Sequence, residues 1–482
     1  MTPLVVDELT VTYPNGHRAL HRVCLRVGEG ERWAVVGRSG SGKTTLVQAI
    51  LGLLPAGSTT SGSVRVDGRE VLGAPEAELR ALRGQVVGYV PQNPFAACDP
   101  LRTVAHHVRE AWTSHGRTPP DGAVATALGR VGIEDAGRRA AQYPHQWSGG
   151  MLQRATLVAG TAHTPAVTIA DEPTSALDAE LAEEVLALVR RTCGALLLIS
   201  HDLALVGRHT DAVAILAAGQ VVESGPTTSL LRTPTTAEAA ALVAASAPAP
   251  RRTAAPRGGR TVAEVRDVAK RYGAVRAVDR VSLRIAAGEA VGIVGRSGSG
   301  KSTLARLVGG IERPDGGSVH LDGRDAWNGR RRLRPGFVMP VFQDPVASLD
   351  RRWALWRTLT EPLIPRGERP SRAERRKRAA RALARVGLDD VDVDRLPGSL
   401  SVGQAQRVAI ARALVAEPAL LIADEPTASL DVAAAAAITD LLRGLVDSGT
   451  ALLVVSHDRV RLESFADRVL TMRAGRLIEG DR

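Results

Sequence analysis

The stretch GRSGSGKT at 37–44 returns as GRSGSGKS at 295–302, an offset of 258 residues. One such loop is enough for one site, so the second copy constrains the whole chain. ADEPTSALD at 170–178 recurs as ADEPTASLD at 423–431, an offset of 253. SHD at 200 recurs at 456, and WSGGMLQR at 147–154 has a counterpart in LSVGQAQR at 400–407. Four landmarks in one order at nearly one offset mean that an entire domain is duplicated, because the spacing is too long for a solenoid repeat. Between the copies, AASAPAPRRTAAPRGGR at 244–260 is Ala, Pro, Gly and Arg without an apolar period, the composition of an extended linker. The expected organisation is a domain over 1–243 with a short extension from about 226, a linker over 244–260, and a second domain over 261–482.

Each copy opens with strand-like alternation (LVVDELTVTY, TVAEVRDVAKRY). A short apolar strand, RWAVVG or AVGIVG, runs into each glycine loop, and TTLVQAILGLL or STLARLVGGI follows with helical periodicity. Further apolar runs, AVTIAD and LLIAD, then ALLLISHD and ALLVVSHD, end on the acidic and histidine motifs. Strands alternating with helices, with motifs at strand ends, indicate an α/β fold with a largely parallel sheet.

Composition narrows the classes. The chain is 44% hydrophobic, enough for a core in each half, and only 3% aromatic, so those cores are built from Ala, Val and Leu. No apolar run approaches the length of a membrane-spanning helix, and MTPLVVDELT lacks a signal-peptide pattern, so a cytoplasmic location is expected. Cys24, Cys98 and Cys193 are far apart, which suggests neither a disulfide nor a zinc or iron–sulfur site. The net charge of +11 permits an anionic membrane surface or nucleic acid as a neighbour. The densest basic run, SRAERRKRAARALAR at 371–385, reads as a solvated helix face rather than a nucleic-acid contact. Only four lysines occur, and two of them, Lys43 and Lys301, close the glycine loops, where a compact ammonium serves better than a guanidinium fork.

G-x-x-x-x-G-K-[ST] between a strand and a helix is a phosphate loop. Its glycines let backbone N–H groups turn inward, and the helix N-terminus adds its positive dipole end. Lys43 and Lys301 are expected to reach the β- and γ-phosphates of a nucleotide, and the hydroxyls of Thr44 and Ser302 to ligate Mg²⁺. In each IADEP segment, Asp171 or Asp424 is suited to hold the metal through water, and Glu172 or Glu425 to orient or deprotonate an attacking water.

With WSGGMLQR and LSVGQAQR alongside these motifs, the chain resembles a tandem ATP-binding-cassette ATPase, whose signature is LSGGQ-x-QR. The resemblance covers both halves, essentially everything except the linker. It implies two P-loop nucleotide-binding domains, each a RecA-like α/β core with an antiparallel β subdomain and a helical subdomain. It implies that Gly37, Ser39, Gly40, Gly42, Lys43, Thr44 and Thr45, and their counterparts Gly295, Ser297, Gly298, Gly300, Lys301, Ser302 and Thr303, touch ATP. Tyr13 and Tyr272 take the place of the aromatic that stacks on adenine. Gln92 and Gln343 match the glutamine that touches Mg²⁺ and water, Asp178 and Asp431 the D-loop, and His201 and His457 the histidine at the γ-phosphate. Ser148, Gly149 and Gly150 match the first signature, and Ser401 and Gly403 the second.

The family arrangement also answers why the loop is doubled. Two cassettes face each other head to tail, so the implied sites pair Lys43 with Ser401 and Lys301 with Ser148. Val402 departs from the signature by replacing its first glycine; a β-branched residue tolerates positive φ poorly and crowds a close approach, so the Lys43/Ser401 site is predicted to be somewhat less active but not dead, since Ser401 and Gly403 remain. Met151 replaces the usual glutamine of the first signature.

YPHQWSGGMLQR resembles the YPHQLSGGMRQR of dipeptide, oligopeptide and nickel importer ATPases, and VFQDPVASLD resembles their second subunit. GPTTSLLRTPTTAEAAALVAASAP resembles that branch's C-terminal segment without its cysteines, and the second copy lacks such a segment. The resemblance therefore implies two usual ATPase subunits fused into one, peripheral at the cytoplasmic face of the membrane. It also implies two separate integral membrane permease subunits, an extracytoplasmic solute-binding protein, and no nucleic-acid partner. Two other readings fit parts of the pattern. A tandem sugar-importer ATPase often has a degenerate catalytic glutamate or loop in one half, whereas here both are intact in both halves. A soluble cassette protein of translation usually has a long charged helical linker, whereas this one is short and rich in Pro and Ala.

Overall fold

The structure is a computed structural model that describes residues 2–479 except 39, 175–176, 178, 247–258, 297, 328–332, 428–429 and 431. Apart from residues 431–433, the chain divides into two compact units between residues 247 and 248. Each unit repeats one architecture of two sheets and a helical part.

In the first unit a six-stranded sheet runs in the spatial order Gln220–Pro226, Ala212–Ala217, Arg32–Val36, Ala195–Ile199, Val167–Asp171, Val87–Val90. All neighbours pair in parallel except the edge strand Gln220–Pro226. Helices cover both faces, so the central strands VTIAD and ALLLI are buried at every residue. That is why they read in the sequence as nearly continuous apolar runs, with Thr168 as the exception. On one face the helix Lys43–Ile50 and a four-stranded antiparallel sheet form a core around Leu4, Leu20, Leu46 and Ile169. On the other, Ala179–Thr192 and Leu203–His209 close a second core around Leu186, Leu198 and Val206. A helical part, with Val104–Thr113, Ala123–Arg130, Ala136–Ala140 and Gly149–Thr161, packs its own core around Leu128, Trp147 and Leu152.

The second unit has the same strand order: Val338–Val341, Leu420–Asp424, Ala451–Val455, Ala290–Val294, Arg468–Arg473, Arg476–Glu479. Its antiparallel sheet is built on Thr261–Tyr272 and Val275–Ala286. Its helical part contains Leu355–Thr360, Arg372–Ala384 and Val402–Val415. The fold class expected from the sequence is therefore present twice.

The first unit continues past its edge strand into helices Thr227–Arg232 and Ala237–Ser246. Glu223 secures this extension by accepting the backbone N–H groups of Thr235 and Thr236 at 2.9 Å, which pulls its pKa down to about 2. The second helix runs to Ser246, three residues into the stretch predicted as linker. Alanine, the best helix former, fills that stretch until the prolines begin.

Candidate nucleotide sites

Both glycine loops leave a buried parallel strand and enter a helix that starts on the lysine. A Cβ on Gly37 would lie 2.2 Å from the Leu216 carbonyl oxygen, and one on Gly295 2.3 Å from that of Met472. The loops thus press on the neighbouring strand, where only glycine fits. Gly42 and Gly300 cap the helices in the left-handed region, at φ 105° and 104°. Gly40 and Gly298 also have positive φ but face open space. Lys43 Nζ reaches back across its loop to the carbonyl oxygens of Gly37 and Arg38, at 2.7 and 3.1 Å. Lys301 Nζ does the same to Gly295 and Arg296, at 2.6 and 3.1 Å. Ser39, Ser297, Asp178 and Asp431, all predicted at the sites, lie outside the described residues.

The acidic pairs end the strands Val167–Asp171 and Leu420–Asp424. Glu172 and Glu425 each extend the ladder by one bond, their N–H groups donating to Ile199 and Val455 at 2.9 and 2.8 Å. Both then turn the chain through left-handed backbone, at φ 42° and 50°. Such torsions are strained for a side chain this size and often mark functional positions. Gln92 Nε2 donates to Glu172 Oε2 at 3.0 Å, and His201 Nδ1 lies 3.2 Å from the same oxygen. Burial opposes charge on both members of the pair, but their mutual hydrogen bond and attraction prevail, so Glu172 is lowered and His201 raised. In the second unit His457 Nδ1 is 2.9 Å from Glu425 Oε2, and the hydrogen bond raises His457. Gln343 stands exposed and bonds no Glu425 oxygen among the described residues.

The aspartates suit a hard cation. Burial, reinforced by Glu172, pushes Asp171 up to about 6, and burial raises Asp424 as well. Asp424 lies beside Ser302, and its Oδ1 is buried without a hydrogen-bond partner. An all-oxygen set with an unsatisfied carboxylate oxygen is what Mg²⁺ selects.

The tyrosines are held differently. Tyr13 Oη lies 2.8 Å from Thr45 Oγ1, whereas the Tyr272 hydroxyl donates to Glu312 at 2.5 Å. Thr303, the counterpart of Thr45, faces Arg306 at 3.4 Å instead.

Ser148 and Ser401 are exposed N-caps of the helices Gly149–Thr161 and Val402–Val415. Each accepts a backbone N–H of its own helix, from Met151 at 3.3 Å and from Gln404 at 3.2 Å. Gln404 returns the bond by accepting from Ser401 N at 3.0 Å. Met151 carries no side-chain oxygen to do so, and the helix Gly149–Thr161 lacks the reciprocal box.

Matches to the ABC transporter family model run over residues 20–175 and 278–428. The chain belongs to that family. It is 33% identical to the oligopeptide transport ATP-binding protein OppD of Mycobacterium tuberculosis, covering 99% of this chain and 95% of that protein. It is 34% identical to the peptidoglycan transport ATP-binding protein YejF of Agrobacterium fabrum (99% and 92% covered). It is 32% identical to the glutathione import ATP-binding protein GsiA of Escherichia coli (99% and 85% covered). Among solved structures, the RNase-L Inhibitor matches with a TM-score of 0.66 and 22% identity, covering 98% of this chain and 90% of that one, a likeness of fold.

This ABC protein therefore carries two ATP-binding, ATP-hydrolysing cassettes in one chain. Sequence reasoning missed some of their contacts. Tyr89 lies beside Asp171, and burial and that carboxylate push its pKa up to about 12; Pro340 occupies the matching place in VMPVFQ. The signature glycines also differ. A Cβ on Gly150 would lie 2.2 Å from Leu181 Cδ2, but one on Gly403 would meet Ala434 at an ordinary 3.6 Å. Gly150→Ala should destabilise the protein by about 1–3 kcal/mol through overpacking. Gly403→Ala should be neutral or stabilise by up to about 1 kcal/mol through helix propensity. Thermal melting of the two variants checks this; equal shifts would remove the packing argument.

Proposed function

We infer that this chain is the fused ATPase pair of an importer for peptides or peptide-like solutes, working with two membrane permeases and an extracytoplasmic binding protein. The observation that carries this reading is the pairing of two complete motif sets with full-length similarity to proteins named for oligopeptide, peptidoglycan and glutathione transport. Among the described residues no helix is long and apolar enough to cross a membrane, so the solute path would lie in other subunits. A place at the cytoplasmic face of the membrane follows from that partnership.

In each half the loop amides and the lysine bind the phosphates of ATP. Thr44 with Asp171, and Ser302 with Asp424, would hold Mg²⁺, joined by Gln92 and Gln343. Bound there, the metal supplies positive charge that offsets the charge of the phosphoryl oxygens during transfer. Glu172 and Glu425 accept a proton from the attacking water, each aimed by the histidine beside it, His201 or His457. We place the exposed caps Ser148 and Ser401 against the nucleotide held by the opposite half, so that hydrolysis releases the link between halves.

Val402 bears on this pairing. It is the first residue of its helix and is not among the positive-φ residues; a Cβ on its counterpart Gly149 would meet only Phe95, at 3.8 Å. The predicted backbone penalty is thus absent within its own unit, and what remains is an exposed isopropyl group beside Ser401. Val402→Gly is expected to tighten ATP binding at the Lys43 site a few-fold; unchanged affinity and turnover would remove the crowding argument.

The importer reading is tested by purifying the chain with its co-expressed permeases and measuring ATP turnover with a peptide-loaded binding protein. Stimulation is expected. Co-purification with ribosomes and no permease, or stimulation by a sugar-loaded binding protein only, would replace it with one of the other readings.

A further inference from the structure

The charge of this chain is concentrated in one place. Residues 351–385 hold twelve Arg and Lys against three Glu, a net +9 of the chain's +11. The corresponding stretch of the first half, 100–134, holds four Arg against three acids, a net +1. Some of the twelve are consumed internally: Arg378 pairs with Glu368 and Glu374, and Arg376 pairs with Asp394. Lys377, Arg381 and Arg385 lie four residues apart on one face of the helix Arg372–Ala384 and its C-cap. They are exposed and have no carboxylate at ion-pair distance among the described residues. Arg351, Arg369 and Arg372 share that condition. The loop beside this helix, tied to it by the Glu368–Arg378 pair at 2.5 Å, presents Ile364 at 59% exposure between two prolines.

We propose that this face of the second cassette binds an anionic lipid surface directly, with no permease in between. Clustered unpaired cations are attracted to anionic headgroups, each adding to the attraction, and an apolar tip among them enters the headgroup boundary. The aromatic residues argue against single-stranded nucleic acid, which needs open rings for stacking. Arg357 lies 4.0 Å over Trp353, and Arg375 and Arg372 lie 4.8 and 5.5 Å from the ring centre of Trp356. Those faces are already covered. The proposal uses none of the residues placed at the nucleotide sites and holds for any transported solute.

The test is co-sedimentation of the purified full-length chain with vesicles of phosphatidylcholine alone or mixed with phosphatidylglycerol. Binding is expected only to the mixed vesicles and is expected to weaken as salt rises. The triple variant Lys377→Gln, Arg381→Gln, Arg385→Gln should lose at least about tenfold in affinity for them. Its ATP turnover in solution and its melting temperature should stay unchanged, because all three residues are exposed. A companion variant, Arg381→Lys with Arg385→Lys, keeps the charge and should keep the binding, which separates charge from folding. Equal binding to neutral vesicles, undiminished binding by the triple variant, or displacement of the vesicles by a mixed-sequence RNA would each overturn the proposal.

Discussion

With Glu172 and Glu425 both changed to Gln, the chain should still bind ATP but hydrolyse it roughly 10²–10⁴-fold more slowly, the usual contribution of a positioned general base. Glutamine matches glutamate in size and should keep the ladder bonds to Ile199 and Val455, so the backbone of each site should hold. The carboxylate that faces His201 at 3.2 Å in one half and His457 at 2.9 Å in the other is gone. Steady-state phosphate release with binding of a fluorescent nucleotide separates the two effects. Undiminished turnover would show that another group accepts the proton. The single variants report each half's share, and the contribution of the half holding Lys43 is expected to rise when Val402 is also Gly. The double variant with nucleotide trapped also serves the proposed pairing of halves. A structure of it with the Ser148 and Ser401 hydroxyls remote from every phosphate would sink that pairing, whatever the rates.

The second large effect is expected at Gly300. A methyl group there would stand 2.0 Å from the carbonyl oxygen of Ala277, with φ at 104°. Ala277 is the extra residue at an irregularity of the strand Val275–Ala286, held between Arg276 and Val278, which pair with Arg271 and Lys270, so the oxygen cannot move aside cheaply. Left-handed strain of about 1–2 kcal/mol and overpacking of about 1–3 kcal/mol point the same way. Gly300→Ala should therefore lose about 2–5 kcal/mol and the nucleotide site of that half. Gly298→Ala is the control, since its φ is 77° and nothing lies within 4 Å of the added atom. It should lose only about 1–2 kcal/mol. Chemical denaturation of both variants, with nucleotide binding alongside, decides the matter; similar losses would mean that contact with Ala277 is not what demands glycine.

The core elements were readable in the sequence because their physics is local. VTIAD and ALLLI are buried on both sides, so Thr168 is the one polar residue in them before the motif begins. The glycine loops announce a turn by composition, and the duplication gave every motif a second witness. What stayed hidden depends on partners distant in sequence. Gln92 meets Glu172 across 80 positions, and Tyr272 meets Glu312 across 40. The unstrained φ of Val402 comes from its place as the first residue of a helix, which the neighbouring Ser401 and Gln404 signal as a capping box, a cue that sequence reasoning missed. The basic run at 371–385 was expected to be a solvated face. Arg375 departs from that expectation, donating to Thr360 Oγ1 at 2.7 Å and lying over Trp356.

The left-handed turn at Glu172 and Glu425 sets two engineering goals against each other at a single backbone position in each half. A designer seeking a hardier protein would choose glycine at both, relaxing a torsion that side chains resist. The same change would delete the carboxylate on which the proposed chemistry turns, so a version of this protein hardened there would be a quieter one.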